Sequence, residues 1–366
     1  MSAGADRRFM ALALALGARG LGNVWPNPAV GCVLVAGGRI VGRGHTAPGG
    51  RPHAETQALA QAGAAARGAT AYVSLEPCAH HGATPPCAEA LVAAGVARVV
   101  SALEDPDPRV AGQGHAALRA AGVAVETGLM AEEARRAHRG FVLHRTAGRP
   151  MVTLKLALSL DGRIATAAGE SRWITGPQAR ARVHGLRARH DAVLVGAGTA
   201  RADDPRLDVR GFGTVAQPVR VVAARTLDLP EGGPLAEPGR GPLWLLHGPG
   251  AEDTPQAGRW RARGARLVAV AEGAGGQLDP RAMLAALAAE GITRVLCEGG
   301  GALAASLLAA DLVDEAVSFT AGLALGAEGR PGIGALHLLA LAEAPRLALI
   351  RVEAVGGDVM AHWERR

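Results

Sequence analysis

Aromatic residues are scarce in this chain: one Tyr, four Phe and five Trp among 366 residues. Proteins that follow single-stranded nucleic acid stack its bases on aromatic side chains, so the composition argues against that class of partner. Lysine is scarcer still. Lys155 is the only one, and the formal net charge of +6 rests on arginine. A surplus of that size suits anionic ligands of many kinds and selects none of them. Four cysteines, two of which acquire another role below, do not make a disulfide framework. No run is long and apolar enough to span a bilayer. The stretch from Phe9 to Leu16 has the apolarity of a secretion signal but lacks a convincing cleavage site, and it reads as the first helix of a globular domain. At this length two domains are expected, and 49% hydrophobic residues suffice for two cores built on Ala, Val and Leu.

What the chain does have is a dense set of metal-ligand residue types between His53 and Cys87. It reads His53-Ala54-Glu55, a helix-forming run, Glu76-Pro77-Cys78, His80-His81-Gly82 and Pro85-Pro86-Cys87. One histidine and two cysteines are the ligand set of a catalytic zinc whose fourth position stays open to water. Zinc brings the pKa of bound water toward neutrality, and a carboxylate outside the ligand set must then move protons. Glu55 is the candidate, because His-x-Glu…Pro-Cys is the order found in zinc deaminases that act on nucleobases. Residues two apart do not share a helix face. His53 and Glu55 are therefore expected at the first turn of a helix, where both side chains reach past its end. Pro52 and the composition of residues 55–62 fit such a start. Helix N-termini near Cys78 or Cys87 would favour the thiolates. Thiolate ligands need reducing conditions, so the cytosol is the expected compartment.

Two other readings share this motif. One is a nucleic-acid or free-nucleobase deaminase with an accessory nucleotide-binding domain. The other is a structural zinc, which needs a fourth protein ligand, with His80 and His81 as the nearby candidates.

The cysteines are further apart than in the usual Pro-Cys-x-x-Cys. The insert from Cys78 to Cys87, with its His-His-Gly and Thr-Pro-Pro-Cys elements, resembles the deaminase half of the bifunctional riboflavin-biosynthesis deaminase/reductases. Pro26-Asn27-Pro28-Ala29-Val30-Gly31 and Asp105-Pro106-Asp107-Pro108 extend the resemblance, and later motifs carry it over nearly the whole chain. It implies an α/β protein: an N-terminal cytidine-deaminase-like α/β sandwich over residues 1–146 and a C-terminal dihydrofolate-reductase-like α/β domain over residues 147–366. It implies Zn2+ and NADPH as cofactors, and deamination of a pyrimidine ribosyl phosphate followed by reduction of its ribosyl group. Small phosphorylated pyrimidine ribosides are the implied partners, with neither nucleic acid nor membrane, and a homo-oligomer is expected. Asn27 is implied to hydrogen-bond the pyrimidine and His80 to lie close to it. Two positions depart from the family. Relatives carry a basic residue where this chain has Ala83, and a histidine seven residues before the zinc histidine, where this chain has Thr46. Arg51 is the candidate substitute for the phosphate contact.

In the first domain Asp6 is expected to cap an opening helix that runs to about Gly17. Strands are expected at residues 30–35, 39–44, 69–75, 98–102 and 123–125, the first two joined by a Gly37-Gly38 hairpin turn. Helices are expected at 88–94, 115–121 and 131–144, and the polar stretch 145–150 as the linker.

Residues 151–157 then read as a strand leading into Ser159-Leu160-Asp161-Gly162-Arg163-Ile164-Ala165. That motif, the stretch from Gly169 to Thr175, Gly198-Thr199 and Ala202-Asp203-Asp204-Pro205 resemble the reductase half of the family. Further strands are expected at 192–196, 218–223, 243–246 and 294–298. The last ends in Gly299-Gly300-Gly301, which opens a helix over 302–310. Such a turn offers N–H groups and the positive helix end to a pyrophosphate. It is not Gly-x-Gly-x-x-Gly, so the doubly wound dinucleotide fold is not indicated. Taken with the resemblance, Ala157, Trp173, Thr199, Asp203, Gly300, Gly301, Ala302, Leu303, Ala304, Ala305 and Ser306 are implied at the NADPH site. Ser171, Arg187, Leu207, Arg210 and Glu298 are implied at the substrate, the arginines suiting its phosphate. Arg225 stands where relatives have an acidic pair with Ser or Thr, and is the candidate for the 2′-phosphate of NADPH. Lys155, flanked by apolar residues on its strand, is the candidate catalytic group at the reacting ribose. Cys32 and Cys297 are expected in strand cores. Residues 228–241, 248–258 and 326–334 are expected as loops, and 346–363 as a final hairpin.

Overall fold

A computed structural model of the chain describes residues 3–81, 85–108, 110–273 and 275–365. The chain divides into two compact units between Gly148 and Arg149. The connection is shorter than the polar composition of residues 145–150 suggests. The last helix of the first unit continues through Ala147, and Gly148 stops it in the left-handed conformation, at φ 62°.

In the first unit the order is α1 (Ala3–Gly17), β1 (Gly31–Ala36), β2 (Arg39–His45), α2 (Ala54–Ala62), β3 (Thr70–Val73), α3 (Cys87–Ala93), β4 (Arg98–Ser101), α4 (Gln113–Ala120), β5 (Ala124–Thr127) and α5 (Ala131–Ala147). The sheet runs β2-β1-β3-β4-β5. β1 is antiparallel to both neighbours, and β3, β4 and β5 are parallel. Successive strand residues face opposite sides. Val33, Val35 and Tyr72 pack with Met10, Ala13 and Ala134 from α1 and α5. Cys32, Leu34, Ala71 and Val73 pack with Ala58, Leu91 and Leu118 from α2, α3 and α4. The result is the expected α/β sandwich, here with helices on both faces of the sheet.

Asp6 does not cap α1. It lies inside the helix and is buried. Its carboxylate accepts from the Tyr72 hydroxyl and from Arg98 Nη1 and Nη2, the last two at 3.2 and 2.9 Å. A tertiary ion pair with β4 has taken the group that a local reading assigns to the cap. Close approach also sets the position of α2. A Cβ on Gly42 or Gly44 of β2 would sit 2.1 Å from Ala58 O or 2.3 Å from Ala54 O. Only glycine lets the helix lie directly on this strand, and that contact places the start of α2 at His53.

The second unit contains β6 (Met151–Leu158), β7 (Arg163–Ala165), α6 (Pro177–Arg187), β8 (Ala192–Gly196), α7 (Ala197–Asp203), β9 (Val219–Ala223), β10 (Leu243–His247), α8 (Pro255–Ala262), β11 (Arg266–Ala269), α9 (Pro280–Ala289), β12 (Arg294–Cys297), α10 (Gly301–Ala309), β13 (Glu315–Ala321), β14 (Arg330–Pro331), β15 (Ala348–Val355) and β16 (Asp358–Glu364). Nine strands form one sheet, ordered β11-β10-β9-β8-β12-β6-β13-β16-β15. The first seven are parallel and the β15–β16 hairpin is antiparallel. From β8 the chain steps outward through β9, β10 and β11, and β12 then returns between β8 and β6. That reversal makes the carboxyl ends of β8 and β12 a topological switch point, the place where open parallel sheets bind ligands.

Part of the expected loop 248–258 is helical. Thr254 Oγ1 accepts the N–H of Ala257 at 3.3 Å, Pro255 occupies the first turn, and Trp260 anchors α8 in the core. The Thr-Pro pair is the sequence signal for this helix start.

Candidate functional sites

His53 is the N-cap of α2, in extended conformation at φ −69°, ψ 162°. Cys87 is the first residue of α3, and Cys78 lies in the loop after β3. Three segments thus bring the predicted ligands together. His53 Nδ1 is 3.3 Å from Cys87 Sγ and 3.6 Å from Cys78 Sγ, and the three ligand atoms lie within 4.8 Å of one another. Among the described residues neither His80 nor His81 joins them, and His81 pairs with Glu89 at 3.0 Å on the surface. Soft sulfur donors with one imidazole fit zinc, and three donors leave one position for water. The N–H of Cys87, at the start of α3, donates to Cys78 Sγ at 3.3 Å. Hydrogen bonding from the Cys87 thiol, then from His53, pulls the Cys78 thiol down to about 4 despite its burial.

Glu55 sits in the first turn of α2 and is buried. Burial raises its carboxyl to about 7. That proton affinity suits a group that both takes and returns a proton near neutral pH. Glu55, His53 and Cys78 open on a cavity of about 460 Å³, which Asn27 and His80 also line. Asp105, Asp107, Arg51 and Arg145 line it too. Arg145 is missing from the sequence reading because its stretch looked like a linker. The longer α5 carries it to the cavity, with its guanidinium 5.4 Å from the centre of the Phe141 ring. Thr46 supports the Asn27-Pro28 turn: its hydroxyl donates to Pro28 O and accepts the Val30 N–H, each at 3.0 Å. Ala83 lies outside the described residues.

In the second unit most of the remaining candidates lie around the carboxyl ends of β6, β8 and β12. Arg187 Nε and Nη2 donate to Glu298 at 2.6 and 3.0 Å, and Lys155 Nζ stands 3.7 Å from Glu298 Oε2. Burial alone would raise the Glu298 carboxyl, but Arg187 and Lys155 hold it at about 2. Arg187 Nη1 also donates to the Asp208 carbonyl at 2.8 Å, and the Asp208 carboxylate holds Arg210 at 3.2 Å. Leu207 is different from expectation in one respect. Its side chain is buried in the core at φ 56°, which leaves only its backbone for a ligand.

Thr199 Oγ1 accepts the N–H of Gly300 at 3.0 Å, tying α7 to the turn after β12. That N–H is committed, so the free helix-end donors are those of Gly301, Ala302 and Leu303. A Cβ on Gly301 would lie 2.5 Å from Pro331 O, whereas on Gly300 the nearest atom is Thr199 Oγ1 at 3.3 Å. Ala304 and Ala305 face the core, and Ser306 is half-buried. Ser171 Oγ donates to Asp203 Oδ1 at 3.2 Å. Trp173 is 68% exposed, with the Arg180 guanidinium 4.5 Å from its ring centre. Ala157 lies near the carboxyl end of β6. Arg225 follows β9 on the same edge, half exposed, with Glu272 3.9 Å away.

The first unit has the donor set and carboxylate of a zinc deaminase, and the second has a Lys155–Glu298–Arg187 cluster at the carboxyl ends of its parallel strands, suited to an anionic substrate and a nucleotide. Residues 4–103 match the cytidine and deoxycytidylate deaminase zinc-binding region, and residues 150–361 match the RibD C-terminal domain. The chain is 42% identical to riboflavin biosynthesis protein RibD of Escherichia coli, with 98% of each chain covered. It is 38% identical to the RibD of Bacillus amyloliquefaciens, over 97% of this chain and 95% of that one. Among solved structures, Acinetobacter baumannii RibD superposes with a TM-score of 0.89 at 38% identity, over 99% of both chains. A Thermotoga maritima deaminase/reductase superposes at 0.85 with 32% identity, over 100% of this chain and 99% of that one. The fold and the first site define a zinc-dependent pyrimidine deaminase joined to an NADPH-dependent reductase. The chain belongs to the RibD family of bifunctional riboflavin-biosynthesis enzymes.

Proposed function

We propose that the first site deaminates 2,5-diamino-6-ribosylamino-4(3H)-pyrimidinone 5′-phosphate, and that the second reduces the ribosyl group of the product to give 5-amino-6-ribitylaminouracil 5′-phosphate. The observation that carries this reading is the convergence of the His53, Cys78 and Cys87 ligand atoms, with His53 and Cys78 lining one cavity together with buried Glu55. Zinc held by that set supplies Lewis acidity that makes water a nucleophile near neutral pH. Glu55 takes a proton from the attacking water as its oxygen adds to the amine-bearing carbon, and returns it to the amine nitrogen, which leaves as ammonia. Asn27 and His80 orient the pyrimidine. Arg51 and Arg145 supply the positive charge that the 5′-phosphate needs at the cavity.

In the second unit NADPH supplies a hydride. Gly301, Ala302 and Leu303 offer the helix-end N–H groups for its pyrophosphate, with Ala157, Trp173, Thr199, Asp203, Ser306 and Arg225 around the cofactor. Arg187, Arg210, Ser171 and Glu298 hold the substrate. Lys155 lies beside the ring-opened ribosyl imine and provides the proton that accompanies reduction at C1. Positioning and charge suffice for this step, without a protein nucleophile. Ammonia release from the zinc-loaded enzyme tests the first assignment. Substrate-dependent NADPH oxidation tests the second.

The cytosol remains the compartment that the thiolate set favours. A homo-oligomer is supported by edge strand β15, which exposes Leu349, Ile350 and Val352, and by Leu339 and Leu341 in the segment before it. Light scattering of the purified chain tests it, with a monomer mass as the opposing result.

A further inference from the structure

Glu76 is buried in the wall of the deaminase cavity, and both its carboxylate oxygens accept backbone N–H groups, from Asp105, from Gly112 and from the first turn of α4. Oε2 accepts the backbone N–H groups of Asp105 and Gly112, each at 3.0 Å. Oε1 accepts those of Gly114 at 2.8 Å and His115 at 3.2 Å. The two segments meet so closely that a Cβ on Gly114 would lie 1.9 Å from Pro77 O and 3.2 Å from Glu76 Cγ. His115 is locked behind them, with Nε2 2.8 Å from Ser101 Oγ.

One carboxylate therefore joins two walls of the same cavity. Residues 76–78 end in Cys78, a zinc ligand. The partner loop begins with Asp105 and Asp107, which line the cavity, and Asp105 Oδ1 accepts the Asp107 N–H at 2.9 Å. A carboxylate accepts four N–H groups readily, since each bond is charge-assisted. An amide in its place would turn its own donors toward them.

We propose that Glu76 is a positioning residue for deamination: it fixes the wall carrying Asp105 and Asp107 against the Cys78 ligand loop, so that the pyrimidine meets a binding surface that is already formed. The inference rests on the deaminase reading of the site and adds a residue that acts through the loop.

The test is Glu76→Gln in the zinc-loaded full-length enzyme. The KM for the pyrimidine ribosyl phosphate is expected to rise about tenfold to a hundredfold, with kcat within about threefold of the parent, as when binding shared by ground and transition state is lost. Zinc content and NADPH-dependent reduction are expected at parent values. A merely structural role shrinks the active fraction, which lowers kcat and leaves KM alone. That result overturns the proposal, as does a variant with parent KM and kcat. If Glu76→Gln does not fold, Glu76→Asp keeps the charge and withdraws it by one methylene. A smaller rise in KM is then expected, and an unchanged KM overturns the proposal. A parent enzyme that fails to release ammonia at all overturns the underlying deaminase reading instead.

Discussion

Glu55 and Glu298 show how surroundings assign different work to the same side chain. Glu55 is buried beside thiols and imidazole, and burial lifts its carboxyl to about 7. Glu55→Gln removes the proton carrier while keeping the shape, so deamination is expected to fall by at least about a hundredfold. Glu298 is equally buried, but Arg187 and Lys155 keep it ionised. Its folded value of about 2 lies below the ordinary 4.5. Its contribution to stability is therefore complete above about pH 4.5 and is lost as pH falls toward 2, a loss of roughly 3 kcal/mol by linkage. Denaturant titrations across that window, followed in the parent and in Glu298→Gln, are expected to show the parent's acid slope flatten in the variant. Parallel slopes would place the acid sensitivity elsewhere. Arg145 makes a third residue-scale test. Arg145→Ala is expected to raise the deaminase KM for the phosphorylated substrate about tenfold and to leave the dephosphorylated nucleoside unaffected. Equal changes for both substrates would show that Arg145 does not read the phosphate.

At the scale of elements, the candidate site residues sit where helices begin and where parallel strands end. His53 before α2, Cys87 opening α3 and Gly301 opening α10 are all at helix starts. The ligand triad was legible in the sequence because ligand chemistry restricts residue type and because His-x-Glu makes geometric sense only at such a start. Most strands were legible too, as short apolar runs between turn residues. Asp6 was misread because a capping role is local, whereas its real partners, Tyr72 and Arg98, are distant in sequence. Arg145 was hidden because polar residues near a Gly and a Pro resemble a linker until the helix through Ala147 is seen. The Gly300 donor was misassigned because nothing local announces that Thr199, on another element, already accepts it. The packing that holds α3 gives an element-scale test. Leu91 is fully buried against β1 and β3 residues, and Leu91→Ala is expected to cost the first unit about 2–5 kcal/mol in urea unfolding. A loss below about 1 kcal/mol would mean that this core relaxes around the cavity. At the strand ends, Arg225→Ala is expected to lower the NADPH/NADH preference about tenfold to a hundredfold, since a charge-assisted bond to the extra phosphate is lost. An unchanged ratio would assign phosphate discrimination to another residue and leave Arg225 with Glu272.

At the scale of the whole molecule, two units of unlike architecture each carry one of the two candidate clusters. No described residue of the zinc set comes from the second unit, and none of the Lys155–Glu298–Arg187 cluster comes from the first. The two reactions are therefore separable by single substitutions, with Glu55→Gln expected to reduce the deaminated intermediate at the parent rate when that intermediate is supplied. The central claim is that one chain performs both steps, deamination first. It is tested most directly by following the diaminopyrimidine ribosyl phosphate with the zinc-loaded enzyme, with and without NADPH, and identifying the products. Without NADPH, ammonia equal to the pyrimidine consumed and a uracil that keeps its ribosyl group are expected; with NADPH, the ribityl product. A reduced product that still carries the amine, or NADPH consumption without ammonia release, would contradict the account.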